Sequence, residues 1–172
     1  FVIINSDGVI VDATKPTVTL TPDVADWTKN DVKVNVKVSD SLSGIKEVNY
    51  TTDEKVPQTG TAVITGGEGT IVLTNEGQYK LTVTVVDNSL NEISETLNIK
   101  IDKTLPVISS VTDNPLDWTG NSVTLTVNAS DAASGFAALP YSFDGGITWQ
   151  SSNAKTYDAN INGIAIKVKD NV

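Results

Sequence analysis

Val32-Lys33-Val34-Asn35-Val36-Lys37-Val38-Ser39 sets valines on one side of an extended chain and lysine, asparagine and serine on the other. Successive side chains of a strand point to opposite faces, so this octapeptide reads as a half-buried β-strand. The same alternation returns at Val123, Leu125, Val127 and Ala129. Further runs stand at Val48 and Tyr50, at Tyr79, Leu81, Val83 and Val85, at Leu97, Ile99 and Ile101, and at Tyr141 and Phe143. All are rich in Val, Ile and Thr, which suit a pleated surface. Clusters of Gly, Asn, Asp and Ser separate them, and no stretch carries a capped 3.6-residue period. The chain is therefore expected to be all-β, a sandwich or barrel of short antiparallel strands. Val32, Val34, Val36, Val38, Tyr50, Leu81, Val83 and Val85 are expected to face its first core.

The chain also repeats itself. A shift of 91 positions (117 minus 26) lays Asp26-Trp27-Thr28-Lys29-Asn30-Asp31-Val32 on Asp117-Trp118-Thr119-Gly120-Asn121-Ser122-Val123. The same shift lays Ser39-Asp40-Ser41-Leu42-Ser43-Gly44 on Ser130-Asp131-Ala132-Ala133-Ser134-Gly135. Ahead of each block stands a matching lead-in, Val11-Asp12-Ala13-Thr14-Lys15-Pro16 and Ile101-Asp102-Lys103-Thr104-Leu105-Pro106. Self-similarity at a domain-sized period marks tandem modules. The expected division is residues 12–102 and 103–172, with 1–11 as an N-terminal strand or the tail of a preceding repeat.

The Asp-x-Thr-x-Pro lead-in, the Asp-Trp-Thr-x-Asn before the second strand, the Ser-Asp-x-x-Ser-Gly after it, and Val85-Val86-Asp87-Asn88 resemble the bacterial immunoglobulin-like repeats of secreted and cell-wall proteins. The resemblance runs from Asp12 to the end. It implies two tandem immunoglobulin-like antiparallel sandwiches and an extracellular location. The implied tasks are stalks, adhesins and accessory modules, with neighbouring repeats as partners. Asp87-Asn88 is followed by a last strand over Ile93 to Ile101, whereas Asp170-Asn171 is followed by Val172. The second sandwich is thus expected to lack its last strand, and the apolar Phe1-Val2-Ile3-Ile4 of a neighbouring copy is a candidate to fill that place.

Composition narrows the chemistry. The 172 residues contain no Cys and no His, which removes thiol and imidazole catalysis, disulfides and the usual zinc ligands. All 12 basic residues are Lys, against 21 acidic ones, a net charge of -9 that disfavours nucleic acid and anionic lipid. No apolar run approaches the length of a membrane span. With no Met, the chain reads as an internal fragment, and no residue set supports an enzyme.

The acidic loops are the candidate site. In an immunoglobulin topology the lead-in and the second and sixth strand ends share a pole. Asp12, Asp40 and Asp87 are expected to converge in the first repeat, and Asp102, Asp131 and Asp170 in the second. No cofactor is required by this reading; Ca²⁺ is the ion that oxygen-only ligands suit. The competing reading has each Asp capping its own turn. Ser142-Phe143-Asp144-Gly145-Gly146-Ile147-Thr148-Trp149 resembles the Asp-box hairpin of sialidase propellers, a folding device. Asp144 is expected to accept from the Gly145-Gly146 turn, with Trp149 packed back on it. Trp27 and Trp118 are expected to plug sandwich ends. Function is expected to be a structural spacer or adhesive stalk. The alternative is a carbohydrate-binding accessory module of a secreted hydrolase, in which Trp27, Trp118 or Trp149 would meet host or cell-wall glycan.

Overall fold

Twelve strands and no helix make up the computed structural model among the described residues, which are 11–113, 115 and 119–172. Residues 1–10 of the expected N-terminal strand or repeat tail, with the apolar Phe1 to Ile4, and Trp118 lie outside them. The chain forms two compact units. One runs to Asp26 and takes in Asp31–Ile99; the other comprises Trp27–Asn30 and Lys100–Val172.

In the first unit, β1 (Thr17–Pro22), β2 (Val32–Ser39) and β5 (Glu68–Leu73) form one sheet, ordered β1-β2-β5. β4 (Thr59–Thr61), β3 (Ile45–Thr52), β6 (Gly77–Asp87) and β7 (Glu92–Ile101) form the other, ordered β4-β3-β6-β7. Each sheet buries one face. On β2 the four valines are buried and Lys33, Asn35 and Lys37 are exposed, and on β6 Tyr79, Leu81, Val83, Val85 and Asp87 are buried. Two inward faces with polar outer faces make an antiparallel sandwich. In immunoglobulin constant domains the fourth strand lies beside the fifth. Here β4 pairs instead with β3, so Asn49 opposes Thr61 and Tyr50 opposes Gly60.

Tyr50 departs from the expected core set. It is half-buried, and Val48 is the fully buried residue of β3. The reason lies across the strand pair, where the Tyr50 ring occupies the space above Gly60 that a Cβ would need, 2.8 Å from its hydroxyl. The ring lies over the β4 edge of the sheet.

The second unit repeats the plan. β8 (Val107–Thr112), β9 (Val123–Ser130) and β11 (Ala154–Tyr157) form a sheet ordered β11-β9-β8, and β10 (Phe136–Ser142) pairs with β12 (Lys167–Asp170). Strands β2 and β9 stand 91 positions apart at both ends (123 minus 32; 130 minus 39), as the repeat requires. The core here is small: Leu125, Val127 and Phe143, with Ile164, Ile166, Val168 and Tyr141 packed partly buried around them. Ile164 and Ile166 supply side chains to this core ahead of the paired strand, which starts at Lys167.

Between β10 and β11 runs the Ser142 to Trp149 hairpin. Its Asp144 carboxylate accepts from Ile147 N, Thr148 N and Thr148 Oγ1, and Gly146 N donates to Ser142 Oγ at 2.7 Å. The glycines therefore serve the turn in another way than expected. Both have φ in the left-handed region, and Gly145 N donates across to Ala165 O at 2.8 Å.

Candidate metal centre

Three loops meet at one end of each sandwich, and each brings an Asp whose short side chain closes its own turn. At the lead-in, Asp12 Oδ1 accepts from Thr14 N at 3.0 Å and from Thr14 Oγ1; Asp102 Oδ1 accepts from Thr104 N at 3.1 Å and Thr104 Oγ1 at 3.3 Å. After β2, Asp40 Oδ1 accepts from Leu42 N and Gly44 N; after β9, Asp131 Oδ1 accepts from Ala133 N and Gly135 N. Gly44 and Gly135 both sit at positive φ, which lets the loop turn its amide back onto the carboxylate. After β6, Asp87 Oδ1 accepts from Ser89 N and Asn91 N; after β12, Asp170 Oδ1 accepts from Val172 N at 3.0 Å.

The second oxygens differ from the first. Asp12 Oδ2 and Asp102 Oδ2 reach across to the next loop, accepting from Ser43 N at 3.0 Å and Ser134 N at 2.9 Å. Asp40 Oδ2, Asp131 Oδ2 and Asp170 Oδ2 are buried and have no hydrogen-bond partner. Asp87 Oδ2 accepts from Asn91 Nδ2 at 2.7 Å, and the same amide donates to Asp12 O at 3.1 Å. The loops are further tied by Asn88 Nδ2, which donates to Ser43 O and Gly44 O, and by Asn171 Nδ2, which donates to Ser134 O and Gly135 O.

The structure brings both expected sets together. One carboxylate oxygen from each of Asp12, Asp40 and Asp87 lies within 4.8 Å of the others, and so it is for Asp102, Asp131 and Asp170. Each Asp closes its own turn through Oδ1, as the capping reading expects, and the carboxylates of each triad also gather at one pole. Asp87 and Asp102 are fully buried and Asp170 is 6 % exposed. Hydrogen bonding keeps the lead-in carboxylates charged. The Thr14 hydroxyl, with Ser43 and the Thr14 amide, lowers Asp12 to about 2. At Asp102 burial pushes the carboxyl up, but the bonds donated by Ser134 and Thr104 outweigh it and hold it below the usual value. Two unit charges 4.8 Å apart repel by about 3 kcal/mol even at an effective dielectric constant near 20. Such a pole is suited to receiving a hard cation through oxygen.

Asn91 escaped the sequence reading, and Asn88 and Asn171 entered it as motif residues without a role. The sequence does hold a signal for Asn91, since it lies at the Asp-x-x-x-Asn spacing from Asp87, but amides in an acidic loop read as turn formers. Of the tryptophans, Trp27, expected to plug a sandwich end, is half-buried, and Trp149, expected to pack back on its hairpin, donates from Nε1 to Gly146 O at 3.1 Å beneath Lys169 Nζ, 4.3 Å from its ring centre.

No family model and no curated protein matches the sequence. Among solved structures, the fibronectin(III)-like modules of Clostridium thermocellum CbhA are similar over 90 % of this chain and 86 % of that chain, at 17 % identity and a TM-score of 0.39.

Proposed function

We propose that this chain is a pair of non-catalytic structural repeats, spacer or stalk modules of an extracellular bacterial protein. The observation that supports the reading is repetition. A three-stranded sheet with the second strand of the unit at its centre, the same Asp-x-Thr-x-Pro lead-in and the same arrangement of acidic loops occur twice in succession. Copying a folded unit end to end extends a chain with each unit holding its own core. Pro16 and Pro106 restrict the backbone at each lead-in and suit a stiff connection.

The carbohydrate-binding alternative needs an open aromatic face. The Trp149 face carries the Lys169 ammonium and its N–H is spent on Gly146, an arrangement that supports the hairpin rather than a sugar platform. Pulling the chain from its two ends should give two separate unfolding events, one per unit, at forces unaffected by soluble cell-wall or plant glycans. A saturable change in tryptophan fluorescence on adding such a glycan would overturn the spacer reading in favour of the accessory module.

A further inference from the structure

We infer that Asn162 is a site of spontaneous covalent modification: the Gly163 backbone nitrogen attacks its side-chain amide, which loses ammonia and becomes an acid. Strand β11 ends at Tyr157 and β12 begins at Lys167, so the segment between them lies outside both strands. Residues 158–163 are all exposed. Asn162 is the one asparagine of the sequence followed by glycine. The reaction needs a free carboxamide, a free backbone nitrogen beside it and room for the two to meet. Among the described residues, the Asn162 carboxamide and the Gly163 N–H have no hydrogen-bond partner, and the place that a Cβ on Gly163 would take is open to 4 Å. Gly163 sits at φ 73, where glycine is at ease, and with no side chain it neither screens its own nitrogen nor resists the backbone turn that attack requires.

Other asparagines show how the fold prevents the same reaction. Asn88 Nδ2 donates to Ser43 O and Gly44 O, while the nitrogen that would attack it, Ser89 N, donates to Asp87 Oδ1 at 2.8 Å. Asn153 Nδ2 donates to Val127 O at 3.0 Å, and Ala154 N donates to Ser152 Oγ at 3.2 Å. Both reacting groups are held in each pair. At Asn162 both are free.

The steps balance with water and a solvent base alone. Base takes the proton of the Gly163 N–H, and the nitrogen forms a bond to Asn162 Cγ, closing a five-membered ring with a neighbour already in place. The Cγ–Nδ2 bond then breaks, and Nδ2 leaves as ammonia with protons from solvent. Water opens the ring at either carbonyl, giving an ordinary aspartate or its β-linked isomer, whose main chain is longer by one carbon. Nothing is oxidised or reduced. The longer main chain matters here because Ile164 and Ile166, just beyond Gly163, pack against Leu125, Val127 and Phe143 in the small core of the second unit. The β-linked product therefore loosens that unit and leaves the first one untouched. This inference stands whether or not the repeats serve as spacers.

The test is peptide mapping by mass spectrometry of the 172-residue chain held folded in mildly alkaline buffer, alongside Asn162→Gln and Gly163→Ala. Conversion at Asn162 should run at least about tenfold faster than at any other described asparagine. It should quicken as pH rises, because attack needs the nitrogen without its proton. Aspartate and its β-linked isomer should both appear, since the ring opens at two carbonyls. Gly163→Ala should slow conversion at least about tenfold, the added methyl hindering attack. Asn162→Gln, which would have to close a larger ring, should show no acid at residue 162 over the same time. The converted parent should melt lower in its second unit alone. If alanine at positive φ opens the loop, Asn162→Gln carries the test. Conversion at Asn162 no faster than elsewhere overturns the site. Aspartate without its isomer, or a rate unchanged in Gly163→Ala, overturns attack by the Gly163 nitrogen, and unaltered melting of the β-linked form overturns its effect on the core.

Discussion

The Asp144 carboxylate is held by four donations, from Ser142 Oγ, Ile147 N, Thr148 N and Thr148 Oγ1, and the pH behaviour of its hairpin follows from them. The Thr148 hydroxyl and amide, followed by weaker donors, lower its pKa below the ordinary 3.8. A carboxyl depressed by folding adds stability that is fully present above its unfolded value and is lost as pH falls through the folded one. The protection of the Thr148 amide, the slowing of its exchange relative to an unfolded chain at the same pH, should therefore be level above about pH 5 and decline below about pH 4. Asp144→Asn should speed exchange at neutral pH and flatten that acid limb. Leu90 poses a different residue-level question, because it sits at φ 69 in the loop after β6 with 68 % of its surface exposed. A branched side chain in the left-handed region is strained, whereas asparagine tolerates it. Leu90→Asn should stabilise the first unit by about 0.5–1 kcal/mol, read as an upward shift of its melting temperature.

Strand β2 shows how much an element can disclose in advance. Its alternation fixes which face is buried, because a slip of one residue would put Lys33, Asn35 and Lys37 inside. Val34→Ala should accordingly cost about 2–3 kcal/mol in denaturant unfolding, while Asn35→Ala should change stability by no more than about 0.5 kcal/mol. Gly69 in β5 is equally constrained, since a Cβ there would stand 2.6 Å from Val63 O and 2.7 Å from Ile64 Cδ1. Gly69→Ala should cost about 1–3 kcal/mol. The sandwich was legible because inward-facing valines and the repeat both act over short windows of sequence. The pairing of β4 with β3 was not, because Thr59–Thr61 carries no periodic signal and its place depends on Tyr50 lying over Gly60. At the acidic poles the six Asp residues were legible from the immunoglobulin topology that the sequence resembles, which puts the lead-in and the ends of the second and sixth strands at one pole. The division of labour between Oδ1 and Oδ2, and the Asn91 amide, depend on loop geometry that no spacing rule conveys.

Taken as a whole, the chain is a pair of unequal cores. The first unit fully buries aliphatic side chains from both sheets, whereas in the second Leu125, Val127 and Phe143 are the buried hydrophobic cluster among the described residues. Hydrophobic stabilisation scales with apolar area removed from water, so the second unit should open at lower temperature or denaturant than the first. Calorimetry should show two transitions in the absence of calcium. Val127→Ala should lower the first transition and leave the second unmoved, and Val34→Ala should do the reverse. A single transition displaced equally by both substitutions would count against the ordering.

The Asp144-Gly145 peptide also bears on how the protein ages. An aspartate before glycine rearranges spontaneously to isoaspartate when the glycine nitrogen attacks the carboxyl carbon, and it needs both partners free to move. Here the Gly145 nitrogen donates its proton to Ala165 O and the carboxylate is pinned by the amides and hydroxyl beyond it. While the hairpin stays closed the reaction has no geometry to follow. Isoaspartate accumulating at residue 144 during storage is then a clock, and what it counts is the time the hairpin spends open.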